Sequence, residues 1–134
     1  MSAIEFSHNP RATREKEAGV SYMLLIVEPA GLRQTRSESE GRALYDSMLT
    51  YSETLKARGL LTMSQSLKNH GSRVQVRGGA TVVVDGPFAE AKEMIGGIFL
   101  LTCETRAQAI AIAKECPVAK SVTIEVRELG PCFE

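Results

Sequence analysis

A run of ionisable and turn-forming residues, DGPFAEAKE at 85–93, directly follows an apolar stretch of this chain. Gly tolerates positive φ, and Pro fixes its own φ and lacks an amide donor, so the strand at 82–84 must end in a sharp turn. The turn places the Asp85 carboxylate at a sheet edge, close in sequence to Glu90, Lys92 and Glu93. This combination favours general acid–base chemistry, with Asp85 as the candidate catalytic residue.

Neighbouring polar and aromatic side chains would complete a ligand site around Asp85. Lys92 would orient an anionic substrate, and Glu90 or Glu93 would supply a second carboxylate. Arg73 and Arg77 alternate to one side of their strand and would line the same pocket. The candidate ligand-binding residues are Tyr22, Arg73, Arg77, Phe88, Glu90, Lys92 and Glu93.

The same residues also have a structural interpretation. An Asp before Gly-Pro commonly caps backbone amides two residues further on. An exposed pair of Lys92 with Glu90 or Glu93 would be worth under about 1 kcal/mol. Phe88 would then anchor the bend in the core or in a subunit interface, and Arg73 would point to solvent. Both interpretations are compatible with the sequence.

Length and composition are those of an ordinary globular domain, with 134 residues, 43% hydrophobic and 24% charged. The 16 basic and 16 acidic residues cancel, so bulk charge does not indicate a nucleic-acid or membrane partner. No apolar run approaches the ~20 residues that span a bilayer. The N-terminus has no apolar signal segment, and we therefore expect a cytoplasmic protein.

The sequence predicts neither a cofactor nor a metal site. Its three Cys are widely spaced, without a CxxC pair or a Cys/His cluster, and no glycine-rich phosphate loop is present. Cys103 and Cys116 are predicted to be small core residues, because free Cys is commonly buried. Cys132 lies in the tail and is predicted to be exposed.

Composition divides the chain into an extension and one domain. Residues 1–20 are polar and aperiodic and are predicted to be a flexible N-terminal extension, so the folded domain spans 21–134. The apolar run Tyr22–Glu28, closed by Pro29, predicts a buried central strand. Further strands are predicted at 60–67, 95–103 and 122–127, and Gly78-Gly79 predicts a tight hairpin between strands 73–77 and 81–84.

Two capping-box sequences predict helices that begin at Ser37 and Thr105. The first helix should end near Gly59, and Pro117 should stop the second. The residues expected to face the core are Leu44, Met48, Tyr51 and Leu55 in the first helix, and Ala107, Ile110 and Ala111 in the second.

This order of elements predicts an α+β fold built from two βαβ-like halves. The simplest arrangement is a ferredoxin-like sandwich, with an antiparallel sheet and two helices on one face. Its other sheet face would have no helix, although the alternating strands keep apolar side chains there. We expect a second copy of the chain to cover that face, sheet against sheet across a two-fold axis.

Several segments resemble the YCII-related proteins of the DGPF type: Tyr22–Ile26, the run at 85–93, Gly96-Gly97, Cys116-Pro117 and Glu125–Arg127. The resemblance covers roughly residues 21–129. It implies a dimeric α/β barrel made of two ferredoxin-like subunits. It also implies a bacterial cytoplasmic protein, commonly encoded beside an extracytoplasmic-function sigma factor. It implies no established reaction.

Two departures limit what the resemblance implies. The smaller YCII proteins carry a His in the first helix that is thought to pair with an Asp as an acid–base couple. This chain has no His between Ser37 and Arg58, and its two histidines are His8 and His70. That couple is therefore not implied here. In addition, Glu128 stands where the family commonly has a Pro.

Three functions are compatible with these observations. The first is the binding or transformation of a small molecule in a cleft of the homodimer. An enzyme of this kind would use cofactor-independent acid–base chemistry of the isomerase or lyase type, by analogy of fold. The second is a non-enzymatic regulatory partner associated with an extracytoplasmic-function sigma factor. The third is a bare dimeric scaffold whose cleft is closed by Phe88 and other side chains.

Overall fold

The computed structural model of the chain describes residues 21–88 and 90–133. The predicted extension at 1–20 lies outside the described residues. The described strands are β1 Ser21–Pro29, β2 Leu61–Ser66, β3 Ser72–Arg77, β4 Ala80–Asp85, β5 Glu93–Thr102 and β6 Thr123–Glu128. The helices are α1 Glu38–Ala57 and α2 Arg106–Lys114, and a short 3-10 helix, Leu32–Thr35, precedes α1.

Four strands form one antiparallel sheet in the order β2-β5-β1-β6. The hairpin β3-β4 forms a separate, two-stranded antiparallel sheet. The α+β prediction is thus confirmed, and the arrangement is compatible with the expected ferredoxin-like fold.

The core lies between the four-stranded sheet and the two helices. Strand β1 alternates strictly, with Tyr22, Leu24, Ile26 and Glu28 buried on the helix side. Both helices contribute to the same buried cluster, which identifies a single helix-bearing face: Tyr51 and Leu55 from α1, Ala109, Ile112 and Ala113 from α2. The hydroxyl of Tyr51 donates to the carbonyl of Ile112 at 2.6 Å and ties the two helices together.

Helix α1 begins and ends where its local sequence predicts. The Ser37 hydroxyl accepts a hydrogen bond from the Glu40 amide at 3.2 Å, and the Glu40 carboxylate accepts one from the Ser37 amide at 2.8 Å. Hydrogen bonding of the Glu40 carboxylate by Ser37, from its backbone amide first and then from its side chain, lowers the pKa of Glu40. The helix ends at Ala57, and Gly59 adopts a positive φ of 71°. Both predicted ends are confirmed.

Helix α2 begins at its predicted cap, but the face predicted for the core is wrong. The buried side chains are Ala109, Ile112 and Ala113, whereas Ile110 is 38% exposed. The buried positions continue into Cys116 and Val118, which follow the helix and also lie in the core. A nine-residue helix with apolar residues on two sides takes its orientation from such flanking contacts, and periodicity alone is ambiguous there.

The side of the sheet away from the helices carries a row of apolar residues, which we call the open face. Its residues are Met23, Leu25, Val27, Met63, Ile95, Ile98 and Leu100, aligned across β1, β2 and β5. Met63 and Ile95 are 38% and 39% exposed. Because both helices pack on the other side, the open face has no helix among the described residues.

The hairpin β3-β4 turns through Gly78 and Gly79, with φ of 56° and 79°. Two successive positive φ values define the type I′ turn, which matches the twist of a hairpin. The predicted two-residue glycine turn is confirmed. Every residue of the two strands is exposed, including Val74 at 63% and Val83 at 57%.

The cysteines lie where the sequence predicts. Cys103 and Cys116 are buried and Cys132 is exposed, and burial raises the pKa of the two core thiols. Within residues 21–88 and 90–133, no group of three or more His, Cys, Asp and Glu side chains is placed to hold a metal ion. No described helix is both long enough and apolar enough to cross a membrane.

Candidate functional site

The Asp-Gly-Pro-Phe bend lies at the base of the β3-β4 hairpin. Asp85 is the last residue of β4 and pairs with Ser72, the first residue of β3. The Ser72 hydroxyl donates to Asp85 Oδ1 at 2.6 Å, and the Asp85 side chain is exposed. The Gly86 amide donates to the carbonyl of Gly71 at 2.6 Å, and the peptide bond between Gly86 and Pro87 is cis.

The half-buried ring of Phe88 folds back on this hairpin. The guanidinium carbon of Arg73 lies 3.7 Å from the ring centroid, a cation–π contact. An edge of the ring also approaches Gly86, where an added Cβ would lie 2.9 Å from Cε2 of Phe88. The structure therefore brings together three of the predicted site residues, Arg73, Asp85 and Phe88.

The other predicted site residues lie apart from this group. Arg77 stands at the hairpin turn, where its Nη1 donates to the carbonyl of Val76 at 3.1 Å. Glu90, Lys92 and Glu93 are exposed; Lys92 accepts a backbone hydrogen bond from Ala30 at 2.9 Å, and Glu93 begins β5.

Tyr22 occupies the opposite end of β1 from the bend. It is buried, and its hydroxyl donates to Glu128 Oε1 at 3.5 Å. Burial, with a further contribution from the Glu128 carboxylate, raises the pKa of this hydroxyl. At about 3.3 Å per residue, Tyr22 lies roughly 20 Å along the strand from Glu28. The structure therefore does not bring Tyr22 to the bend.

A second candidate site lies beneath the first helix. A cavity of about 650 Å³ opens between α1 and the strands β1, β2 and β5; we call it the helix cavity. Its apolar wall includes Ile26, Leu44, Met48, Leu49, Phe99 and Val118. Hydroxyl groups of Ser52 and Ser64, 2.9 Å apart, supply a polar patch. The lining does not include Asp85, Arg73 or Phe88.

An ion pair between a buried carboxylate and a partly exposed arginine lies in the wall of the helix cavity. Glu28 is only 6% exposed, and Arg33 Nε donates to its Oε1 at 2.7 Å. Arg33 also donates to two backbone carbonyls, to Leu67 from Nη1 at 2.7 Å and to Gly96 from Nη2 at 3.1 Å. One guanidinium thus joins the end of β1 to the segment after β2 and to β5.

Strand β5 makes room for this pair with a bulge. Ile26 pairs with Gly97 and Val27 with Ile95, so Gly96 is the extra residue of β5. A side chain at position 96 would collide with the Glu28 carboxylate. Gly96 is therefore required for packing.

Sequence reasoning placed Glu28 at a strand end without a partner and missed Arg33. A signal was present, because Glu28 follows Tyr22, Leu24 and Ile26 in the buried register of β1. A carboxylate on the buried side of a strand must find a hydrogen-bonding or charged partner. Because the chain turns after Pro29, Arg33, which follows Glu28 by five residues, can reach the Glu28 carboxylate.

Two comparisons relate this sequence to known proteins. The family model of the YCII-related domain matches residues 20–132. An uncharacterized protein from Rhizobium meliloti (strain 1021) is 42% identical over 54 residues, which cover 39% of this chain and 44% of that relative. The chain thus matches less than half of the relative's length.

Proposed function

The chain belongs to the YCII-related domain family, and on that basis we propose that it is a homodimeric, small-molecule-binding protein of the DGPF type. In this proposal each subunit binds a ligand in its helix cavity, and two subunits form a dimeric α/β barrel by covering one another's open face.

The size and lining of the helix cavity carry this proposal. About 650 Å³ lies within the range of ~300–1,000 Å³ that is typical of small-molecule sites. Such sites combine an apolar wall with a few fixed polar groups. Here Leu44, Met48 and Phe99 would take the apolar body of a ligand, and the Ser52–Ser64 patch and the Glu28–Arg33 pair would orient it.

The composition of the open face supports a second copy of the chain as its cover. Apart from the apolar row, β6 places Glu125 opposite Leu25 and Arg127 opposite Met23. Arg127 Nε donates to Glu125 Oε2 at 2.7 Å, so these two charges compensate each other within one subunit. A surface that is apolar over its central strands can pack against its own copy, as a two-fold interface requires.

Acid–base chemistry at Asp85 remains a prediction. It would need a ligand that reaches the bend, most directly one bound between two subunits. The role of a sigma-factor partner rests on the resemblance alone, and no contact among the described residues favours it over ligand binding.

A thermal-shift screen of metabolites tests the proposal. A ligand that binds the native state at 100 times its Kd stabilises it by about 2.7 kcal/mol, which raises the melting temperature by several degrees. Met48→Trp should fill part of the cavity and remove the shift, and Leu49→Trp at the cavity rim provides a second blocking variant. A ligand that shifts these variants as much as the wild type binds elsewhere, and a screen without any shift contradicts the proposal.

A further inference from the structure

We propose that Glu28 contacts the ligand of the helix cavity directly, with its Oε2 accepting a hydrogen bond from a neutral hydroxyl or amide group. This inference rests on the proposed function, because it names the ligand class of the same cavity. Arg33 is the positioning residue that holds the carboxylate.

The first argument is the unequal use of the two carboxylate oxygens. Oε1 accepts a hydrogen bond from Arg33 Nε at 2.7 Å, but Oε2 accepts none from the residues that the structure describes. Glu28 is 94% buried and lines the cavity, and Oε2 is not among the described side-chain atoms that are both fully buried and without a hydrogen-bond partner. A carboxylate oxygen that borders the cavity and has no described donor can therefore accept a hydrogen bond from a ligand.

The second argument is the rigidity of the carboxylate. Arg33 is fixed by two backbone carbonyls besides Glu28, and the bulge at Gly96 leaves space for the carboxylate alone. An acceptor held in this way loses little conformational freedom when a ligand binds, which favours affinity and a defined ligand orientation.

The third argument is that the charges of Glu28 and Arg33 restrict which ligand group can bind at Oε2. Arg33 already compensates Glu28, so a cationic ligand group would meet the guanidinium as a like charge, and an anionic group would meet the carboxylate. A neutral O–H or N–H meets neither penalty. With the apolar wall of Leu44, Met48 and Phe99, this indicates a largely apolar molecule that carries one alcohol, phenol or amide donor.

Three probes with one aromatic body test this assignment by NMR titration of the wild-type chain. They are 2-naphthol, 2-methoxynaphthalene, which lacks the donor, and naphthalene-2-carboxylate, which is anionic. We expect 2-naphthol to bind at least tenfold more tightly than either of the others. Equal binding of 2-naphthol and 2-methoxynaphthalene overturns the role of Glu28 and leaves the proposed function standing. The absence of binding by all three probes also overturns it, and the metabolite screen then decides the proposed function separately.

Two variants test whether Glu28 causes the preference for 2-naphthol over 2-methoxynaphthalene. Glu28→Gln puts an amide group in place of the free carboxylate oxygen. It should weaken the binding of 2-naphthol about 10- to 100-fold and leave the binding of 2-methoxynaphthalene unchanged. Glu38→Gln is the matched control, because Glu38 also borders the cavity but is exposed and paired with Arg42. Retention of the 2-naphthol preference in Glu28→Gln contradicts the proposal. If that variant does not fold, the wild-type comparison of the three probes still decides.

Discussion

The Glu28 carboxylate lies where a side chain at position 96 would have to stand: a Cβ on Gly96 would come within 2.8 Å of Glu28 Cδ. The same Cβ would lie 2.9 Å from Nη2 of Arg33. The glycine, the buried acid and its arginine therefore form one packing unit, in which each member depends on the other two.

Gly96→Ala should destabilise the fold by about 1–3 kcal/mol, because the added methyl group displaces the ion pair from a packed site. Urea unfolding measures this change. Gly41→Ala is the control, since Gly41 lies in α1 and a Cβ there meets no atom within 4 Å. That variant should gain about 0.4–1 kcal/mol. Similar effects at the two positions would show that Glu28 is not tightly packed against Gly96.

Tyr51→Phe should lower stability by about 0.5–1.5 kcal/mol, since the phenol hydroxyl is the hydrogen-bonded tie between α1 and α2. The ring itself remains and keeps its edge-to-face contact with Phe99, with centroids 5.4 Å apart. Tyr45→Phe, at a position 52% exposed, removes the same atom from a solvated site and should change nothing measurable. Chemical denaturation of both variants checks the difference, and equal losses would refute the proposed tie.

Arg73 and Phe88 should show a coupling energy of about 0.5–1 kcal/mol, as expected for a cation–π contact at a partly exposed site. A double-mutant cycle with Arg73→Gln and Phe88→Leu measures it by urea unfolding. Arg77→Gln replaces the second Arg of β3, whose side chain donates to the carbonyl of Val76 and is not stacked on Phe88 among the described residues. A cycle of Arg77→Gln with Phe88→Leu should therefore be additive, and coupling of equal size in both cycles would deny the specific contact.

Leu25→Glu should convert the proposed dimer into a monomer of 14.6 kDa, because it places a charge in the middle of the open face. Sedimentation equilibrium at low micromolar concentration gives the mass. Leu49→Glu makes the same substitution at an exposed position of α1 and should leave the dimer intact. A monomeric wild type at that concentration would rule out the proposed interface.

The stability of the folded chain should depend on pH through the Glu40 carboxyl group. Hydrogen bonds from Ser37 lower the pKa of the Glu40 carboxyl in the folded chain. The ionised carboxylate therefore stabilises the fold fully at a pH above 4.5, the ordinary pKa of this group. This contribution is lost as the pH falls through the lowered pKa. The difference in melting temperature between wild type and Glu40→Gln should thus be largest near neutrality and decline below about pH 4. Thermal unfolding followed by circular dichroism tests this sign, and a difference that grows on acidification would contradict it.

The elements that the sequence predicted well are those with local signals. The capping boxes at Ser37 and Thr105 and the glycines at 59, 78 and 79 each act within a few residues. Such signals do not depend on tertiary contacts. The open face was likewise predictable, because strand alternation assigns two sides before any packing is known.

Two β-bulges limit how far strand alternation can be used to assign the sides of this sheet. Leu61 and Met63 are two residues apart in β2, yet a bulge places Leu61 opposite Leu101 in the core and Met63 opposite Leu100 on the open face. The bulge at Gly96 has the same effect in β5. One extra residue inverts a period of two, so alternation cannot be extended through it. Arg33 was missed because its hydrogen-bond partners, Glu28, Leu67 and Gly96, are brought together only by the tertiary fold.

The first helix is most deeply buried toward its carboxyl end. Its last two turns carry the buried Tyr51 and Leu55, whereas Leu44 and Met48 in its earlier turns are only partly buried against the core and also line the helix cavity. If the proposed ligand binds there, a small tilt of α1 about its carboxyl-terminal contacts would widen the cavity without unwinding any turn. Ligands of different size would then bind without loss of helical structure.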